Sequence, residues 1–173
     1  RNEILPLANF PRLNSNAVYA SNNKLPTDWQ ASKTYNFNGV KIGVVGFTLT
    51  ELPNLVFPGN LDPFKILDPA TTINAETKKL RNQNKVNAVV AIGHMGGDGT
   101  DILNPSPTSP AILLANDLKG VDVLLGGHTH SQYIYYLPNG KLFAQSPNAG
   151  FRFTRVRLVV NTLTKNLVYK TAD

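Results

Sequence analysis

From residue 40 onward the chain alternates short apolar runs with segments of helical period. Val40-Lys41-Ile42-Gly43-Val44-Val45-Gly46-Phe47, Val86-Asn87-Ala88-Val89-Val90-Ala91-Ile92-Gly93 and Val121-Asp122-Val123-Leu124-Leu125-Gly126 are almost unbroken. Such runs predict strands buried on both faces of a sheet. Between the first two, Asp68-Pro69 reads as an N-cap followed by Pro at the first helical position. Ile73 and Leu80 give the ensuing helix an apolar side, with Thr77 and Arg81 on the same stretch, and residues 82–85 end it. Ser109-Pro110 repeats the start signal, Ile112, Leu113, Ala115 and Leu118 form the apolar face, and Gly120 is the stop. Strand, helix, strand, helix, strand predicts parallel pairing through right-handed crossovers.

The flanks read differently. Residues 1–36 are rich in Asn, Pro and Ser without a sustained period; one short strand is predicted within 13–19 and loop elsewhere. So irregular a lead-in makes best sense if something upstream packs on it. Asn38-Gly39 is a hairpin turn dipeptide. The Pro-rich residues 51–67 read as a surface loop. After residue 132 the pattern becomes hairpin-like: 133–137 and 141–145 around Pro138-Asn139-Gly140, then 151–160 and 166–170 around 161–165. The expected fold class is α/β (α+β), in a single domain. Residues 1–36 are an irregular lead-in, 37–131 an α/β part, and 132–173 an antiparallel β part.

Composition narrows the chemistry. A chain of 173 residues with 42% apolar positions can bury a core. No apolar run reaches the roughly 18 residues that a membrane helix needs. Absence of cysteine excludes disulfides, thiolate metal sites and cysteine nucleophiles. Arg1-Asn2-Glu3-Ile4-Leu5-Pro6 has no signal-peptide pattern, and a start other than Met points to a processed or excised chain. The net charge of +6 is scattered, apart from Arg152, Arg155 and Arg157. Strand alternation puts Arg155 and Arg157 on one face and Arg152 on the other. That is a mildly basic surface able to attract an anionic substrate, without the stripe a nucleic acid requires. Phosphate-binding Gly-Lys-Ser/Thr, the Gly-x-Ser-x-Gly elbow and His-Glu-x-x-His are all absent.

The histidines carry the chemistry. His94 follows the second strand, in Gly93-His94-Met95-Gly96; His128 and His130 follow the third, in Gly126-Gly127-His128-Thr129-His130. Parallel strands present ligands at their carboxyl ends, so all three fall at one edge of one sheet. Imidazole is the commonest metal-ligating side chain, and a His-x-His pair can serve one ion or two adjacent ones. Gly96, Gly97 and Gly99 read as a flexible loop, with Asp98 and Asp101 as solvated loop residues.

These motifs resemble those of the calcineurin-like metallophosphoesterases. Gly126-Gly127-His128-Thr129-His130 looks like that family's final signature, and Gly93-His94-Met95-Gly96 like the His motif before it. Val40-Lys41-Ile42-Gly43-Val44-Val45-Gly46 and Phe10-Pro11-Arg12-Leu13-Asn14-Ser15-Asn16 resemble strands of the 5'-nucleotidase branch, in matching order along nearly the whole chain. The resemblance implies a four-layer αββα sandwich, here only its C-terminal part. It implies two divalent metal ions among Zn, Mn, Fe and Co, with Zn or Mn favoured. His94 and His128 would ligate one ion and His130 the other. The implied reaction is hydrolysis of phosphate esters such as nucleotides, with a metal-activated hydroxide attacking phosphorus in line. An extracellular or periplasmic location follows.

The family's Asp-x-His, Gly-Asp and Asn-His-Asp/Glu motifs are missing, and with them the bridging Asp, the Asn ligand and the catalytic His; so is the C-terminal nucleotide-binding domain. The expected partner is therefore an N-terminal portion of the same protein that carries the remaining ligands, and no catalytic residue is assigned to this chain. Two other readings stay open. One is a non-catalytic or degenerate piece with a binding or structural role; the other is a mononuclear metal module of the three histidines.

Overall fold

A computed structural model describes residues 7–173; the reading of residues 1–6 lies outside them. The three apolar runs form the centre of a six-stranded sheet. They are β3 (Val40–Thr48), β5 (Ala88–His94) and β6 (Val123–Gly126), and the sheet runs β2-β3-β5-β6-β8-β7. β3, β5, β6 and β8 (Leu142–Gln145) are mutually parallel; β2 (Ser32–Phe37) and β7 (Tyr133–Tyr136) add antiparallel edges. Two helices make the crossovers, α2 (Pro69–Lys79) and α3 (Pro110–Asp117). β1 (Ala17–Tyr19) pairs with β4 (Phe64–Ile66), and β9 (Val156–Val160) with β10 (Leu167–Ala172), as two small separate ribbons. A short helix, α1 (Leu52–Leu55), follows β3.

One face of the sheet is packed. Val45 and Phe47 of β3, Val89 and Ala91 of β5, Leu124 of β6 and Phe143 of β8 join Ile73, Leu80, Ile112 and Ala115 in one buried cluster beneath the helices. The opposite face is covered unevenly. Ala88, Val123, Leu142 and Ala144 are buried there, but Val44 and Val90 are half-buried and Ile92 is 44% exposed. Burial on both faces, expected for all three runs, therefore holds only in part. The helices cover one side, and the β9–β10 ribbon meets the sheet at β8.

Several local expectations need correction. All but the last residue of β2 lie in the stretch 1–36 read as loop: its polar sequence Ser32-Lys33-Thr34-Tyr35-Asn36-Phe37 hides an edge strand that pairs on one side only. The turn to β3 matches its residues, with Asn38 at φ 51° and Gly39 at φ 86°. The stretch 51–67 is not all loop, since it holds α1 and β4. The first C-terminal hairpin forms as read, β7 antiparallel to β8, but it is built into the main sheet. β8 pairs parallel to β6, so the main sheet runs through to Gln145. Leu113 is 51% exposed, and Ala111 and Leu114 take its place in the core. Ser109 stands at the N-cap, but its hydroxyl donates back to Ser106 O instead of capping.

Buried polar side chains fasten the irregular parts. Asn16 is fully buried, accepts from Thr48 N (2.9 Å) and donates to Thr48 O (2.8 Å) and Leu67 O (3.1 Å). It pins the lead-in to the end of β3. Gly46 permits that approach, because a Cβ there would lie 2.2 Å from Leu13 O. At the opposite edge, Asn87 accepts from Lys41 N and donates to Lys165 O. Arg81 leaves the π-helical turn Leu80–Asn84 and ties it to Gly120 O, Asn87 O and the Asp122 carboxylate (2.6 Å), which also accepts from Val89 N.

Asp68 caps α2 as its position predicts, accepting from Thr71 N (2.7 Å) and Thr71 Oγ1 (2.5 Å). The Thr71 side-chain bond, with the backbone bond second, holds its carboxyl below the ordinary aspartate value. A depressed carboxylate stabilises the fold above its unfolded pKa, and that contribution is lost as pH falls through the folded value. Asp68→Ala should therefore lower stability by about 1 kcal/mol at neutral pH, with the difference from wild type shrinking in acid. Denaturant unfolding at pH 7 and pH 3 checks both.

Candidate metal centre

Parallel register brings the histidines to one sheet edge. His94 is the last residue of β5, opposite Thr48 of β3, and His128 and His130 sit in the turn after β6. All three are exposed. His94 Nε2 and His128 Nδ1 lie 3.2 Å apart, with the rings edge-on at 72° and centroids 5.0 Å apart. His130 is not in this contact. Among the described residues, no three His, Cys, Asp or Glu side chains gather closely enough to hold an ion.

The ring pair suits a metal. At metal–nitrogen bonds of about 2.0–2.1 Å, two ligands of one tetrahedral ion stand about 3.3 Å apart. The pair already has that separation. Partial desolvation of this otherwise exposed ring, then the like charges of His128 and His130, lower the pKa of His94 and favour the neutral ring, which is the form that ligates. The donor set, nitrogen without a carboxylate, fits part of a coordination shell.

The backbone around the pair is constrained. His128 has φ 83° and His130 φ 59°. Such conformations cost about 1 kcal/mol or more at each non-glycine residue and persist where surrounding contacts impose them. Here the contacts are visible. Gly127 N donates to Met95 O (3.1 Å), and Thr129 Oγ1, between the two histidines, donates to Gly97 O (2.5 Å). Gln145, at the end of β8 and 1% exposed, accepts from Gly97 N (3.1 Å) and donates to Thr129 Oγ1 and Ser131 O (both 2.8 Å).

Gly96 and Gly97 are buried, so the flexible-loop reading is corrected for them. A Cβ on Gly96 would lie 2.5 Å from Thr129 Oγ1 and 2.6 Å from Gly127 O; the glycine serves close packing of the two loops. Asp98 and Asp101 are exposed, as expected. Sequence reasoning missed Gln145 and Thr129. The available signal was a lone amide closing the apolar Leu142-Phe143-Ala144 strand. Of the arginines, Arg155 pairs with Asp173, Arg157 also acts on Asp173, and Arg152 donates to Gln132 Oε1 (2.7 Å) beside the histidine turn.

No family model matches the chain. A Listeria monocytogenes cell wall protein is 30% identical over 176 residues, which cover 92% of this chain and 22% of that protein. The 5'-nucleotidase of Bos taurus is 32% identical over 130 residues, 74% of this chain and 20% of its own. The chain thus spans about a fifth of these relatives. Among solved structures, the calcineurin-like phosphoesterase YfkN from Bacillus subtilis superposes with a TM-score of 0.75 at 16% identity, over 96% of this chain and 55% of that one. The shared fold places the chain as a piece of a metallophosphoesterase sandwich. The chain belongs to the calcineurin-like metallophosphoesterases, in their 5'-nucleotidase branch.

Gly96→Ala should cost about 1–3 kcal/mol through overpacking and push the two loops apart. Thermal unfolding, together with the His94–His128 separation in a crystal structure of the variant, measures both effects.

Proposed function

We propose that this chain supplies the histidine half of the two-metal site of an extracellular phosphate-ester hydrolase acting on nucleotides. His94 and His128 hold one ion and His130 the other, with Zn or Mn the favoured metals. The remaining ligands, carboxylates included, come from an upstream portion of the same protein. The observation that carries this reading is the 3.2 Å approach of His94 Nε2 to His128 Nδ1 at the ends of adjacent parallel strands. Ions bound there would supply Lewis-acid chemistry toward a phosphoryl group. The chain's own part is to present the imidazoles from a frame of paired loops. The half-buried Val44 and Val90 and the exposed Ile92 support a covering layer outside this chain, as does its spanning about a fifth of its relatives. The cell wall protein among those relatives supports an extracellular setting.

In the full-length protein, His128→Ala should remove one metal equivalent and lower turnover of a nucleoside monophosphate by several orders of magnitude, leaving the circular dichroism spectrum unchanged. Metal analysis and phosphate release measure the two effects. Near-normal turnover in the variant would make His128 a turn residue. A folded wild-type protein without metal-dependent phosphatase activity would instead favour the non-catalytic reading.

A further inference from the structure

Gln145 is buried at the end of β8, and the metal reading so far gives it no part. The chemistry of its neighbours fixes the direction of its amide. Gly97 N can only donate, so it meets Oε1; Ser131 O can only accept, so it meets Nε2. The other Nε2 hydrogen goes to Thr129 Oγ1, whose own hydrogen is committed to Gly97 O. The result is a closed ring of hydrogen bonds from the loop after β5 to the turn after β6 and back. His94 lies three residues before Gly97, and His128 and His130 flank Thr129. Those two histidines hold the positive-φ backbone that relaxes unless something imposes it.

We propose that Gln145 is the positioning residue of the histidine pair. Its carboxamide sets the spacing of the two loops, and through them the separation at which His94 and His128 present their nitrogens. This rests on the reading of that pair as metal ligands. Residues that orient metal ligands from behind are known to govern affinity without touching the ion.

The test uses the full-length protein. Gln145→Leu removes all three bonds at similar volume, and Gln145→Glu keeps the shape but loses both N–H donors. Zn2+ affinity is read by competition with a chromogenic chelator, ligand geometry by the Co2+ absorption band, and folding by thermal unfolding of the metal-free protein. Asn87→Ala, which loses its bonds at the opposite sheet edge, controls for general loss of stability. Both Gln145 variants should bind Zn2+ about 10- to 100-fold more weakly and shift the cobalt band, whereas Asn87→Ala should change the unfolding temperature alone. If Gln145→Leu does not fold, Thr129→Val decides, since it removes only the shared hydroxyl; weakening of about tenfold is expected. Zn2+ affinity within twofold of wild type and an unmoved cobalt band in a folded variant overturn the positioning role. His128→Ala separates the two ideas. Unchanged Zn2+ affinity there sinks the metal reading itself, while lost affinity beside a normal Gln145→Leu sinks only the role of Gln145.

Discussion

Parallel pairing of β3, β5, β6 and β8 is the constraint on which the rest depends. It makes all four strands end on the same side of the sheet, with Ile92 of β5 opposite Leu125 of β6. Thr48 stands opposite His94, and Gly126 opposite Gln145. Parallel strands require crossovers, and α2 and α3 provide them while covering one face with Ile73, Leu80, Ile112 and Ala115. The same burial that stabilises the sheet therefore brings together two histidines 34 residues apart in sequence.

Close approach at that edge is a second demand, and it explains the local sequence. Loops that cross within hydrogen-bond reach leave no room for side chains at the crossing, hence Gly96 beneath Thr129 and Gly127. They also bury backbone groups that must be paired. Gly97 N and Gly97 O find partners in Gln145 and Thr129, and Met95 O in Gly127 N. Loops tied together by these bonds can hold His128 and His130 in an unfavourable backbone region.

Much of this was legible in the sequence because it is local. The apolar runs, the Asp68-Pro69 start and the Asn38-Gly39 turn each encode their structure within a few residues. So does the placement of His94, His128 and His130, once the strands are known to be parallel. What was not legible is tertiary. Ser32-Lys33-Thr34-Tyr35-Asn36-Phe37 becomes a strand because β3 offers an edge, not because of its own period. The side of α3 that is buried depends on where the sheet lies beneath it, which is why Leu113 points out. Gln145 has no meaning until β8 is set beside β6, and nothing in the hairpin that contains it predicts a parallel neighbour.

The unevenly covered face links the sheet to the chemistry. Val44, Val90 and Ile92 form an apolar surface alternating with the packed one, and sheets with parallel strands are ordinarily covered on both sides. Along β5 the alternation that turns Val90 and Ile92 toward that face turns His94 the same way, at the strand's end. A layer that buries Ile92 must pass close to His94. In the proposed half-site, covering the apolar face and completing the coordination shell would be one event. Each would strengthen the other, because exclusion of water sharpens the interaction of the ions with their ligands, and bound ions stabilise the docked layer by mass action.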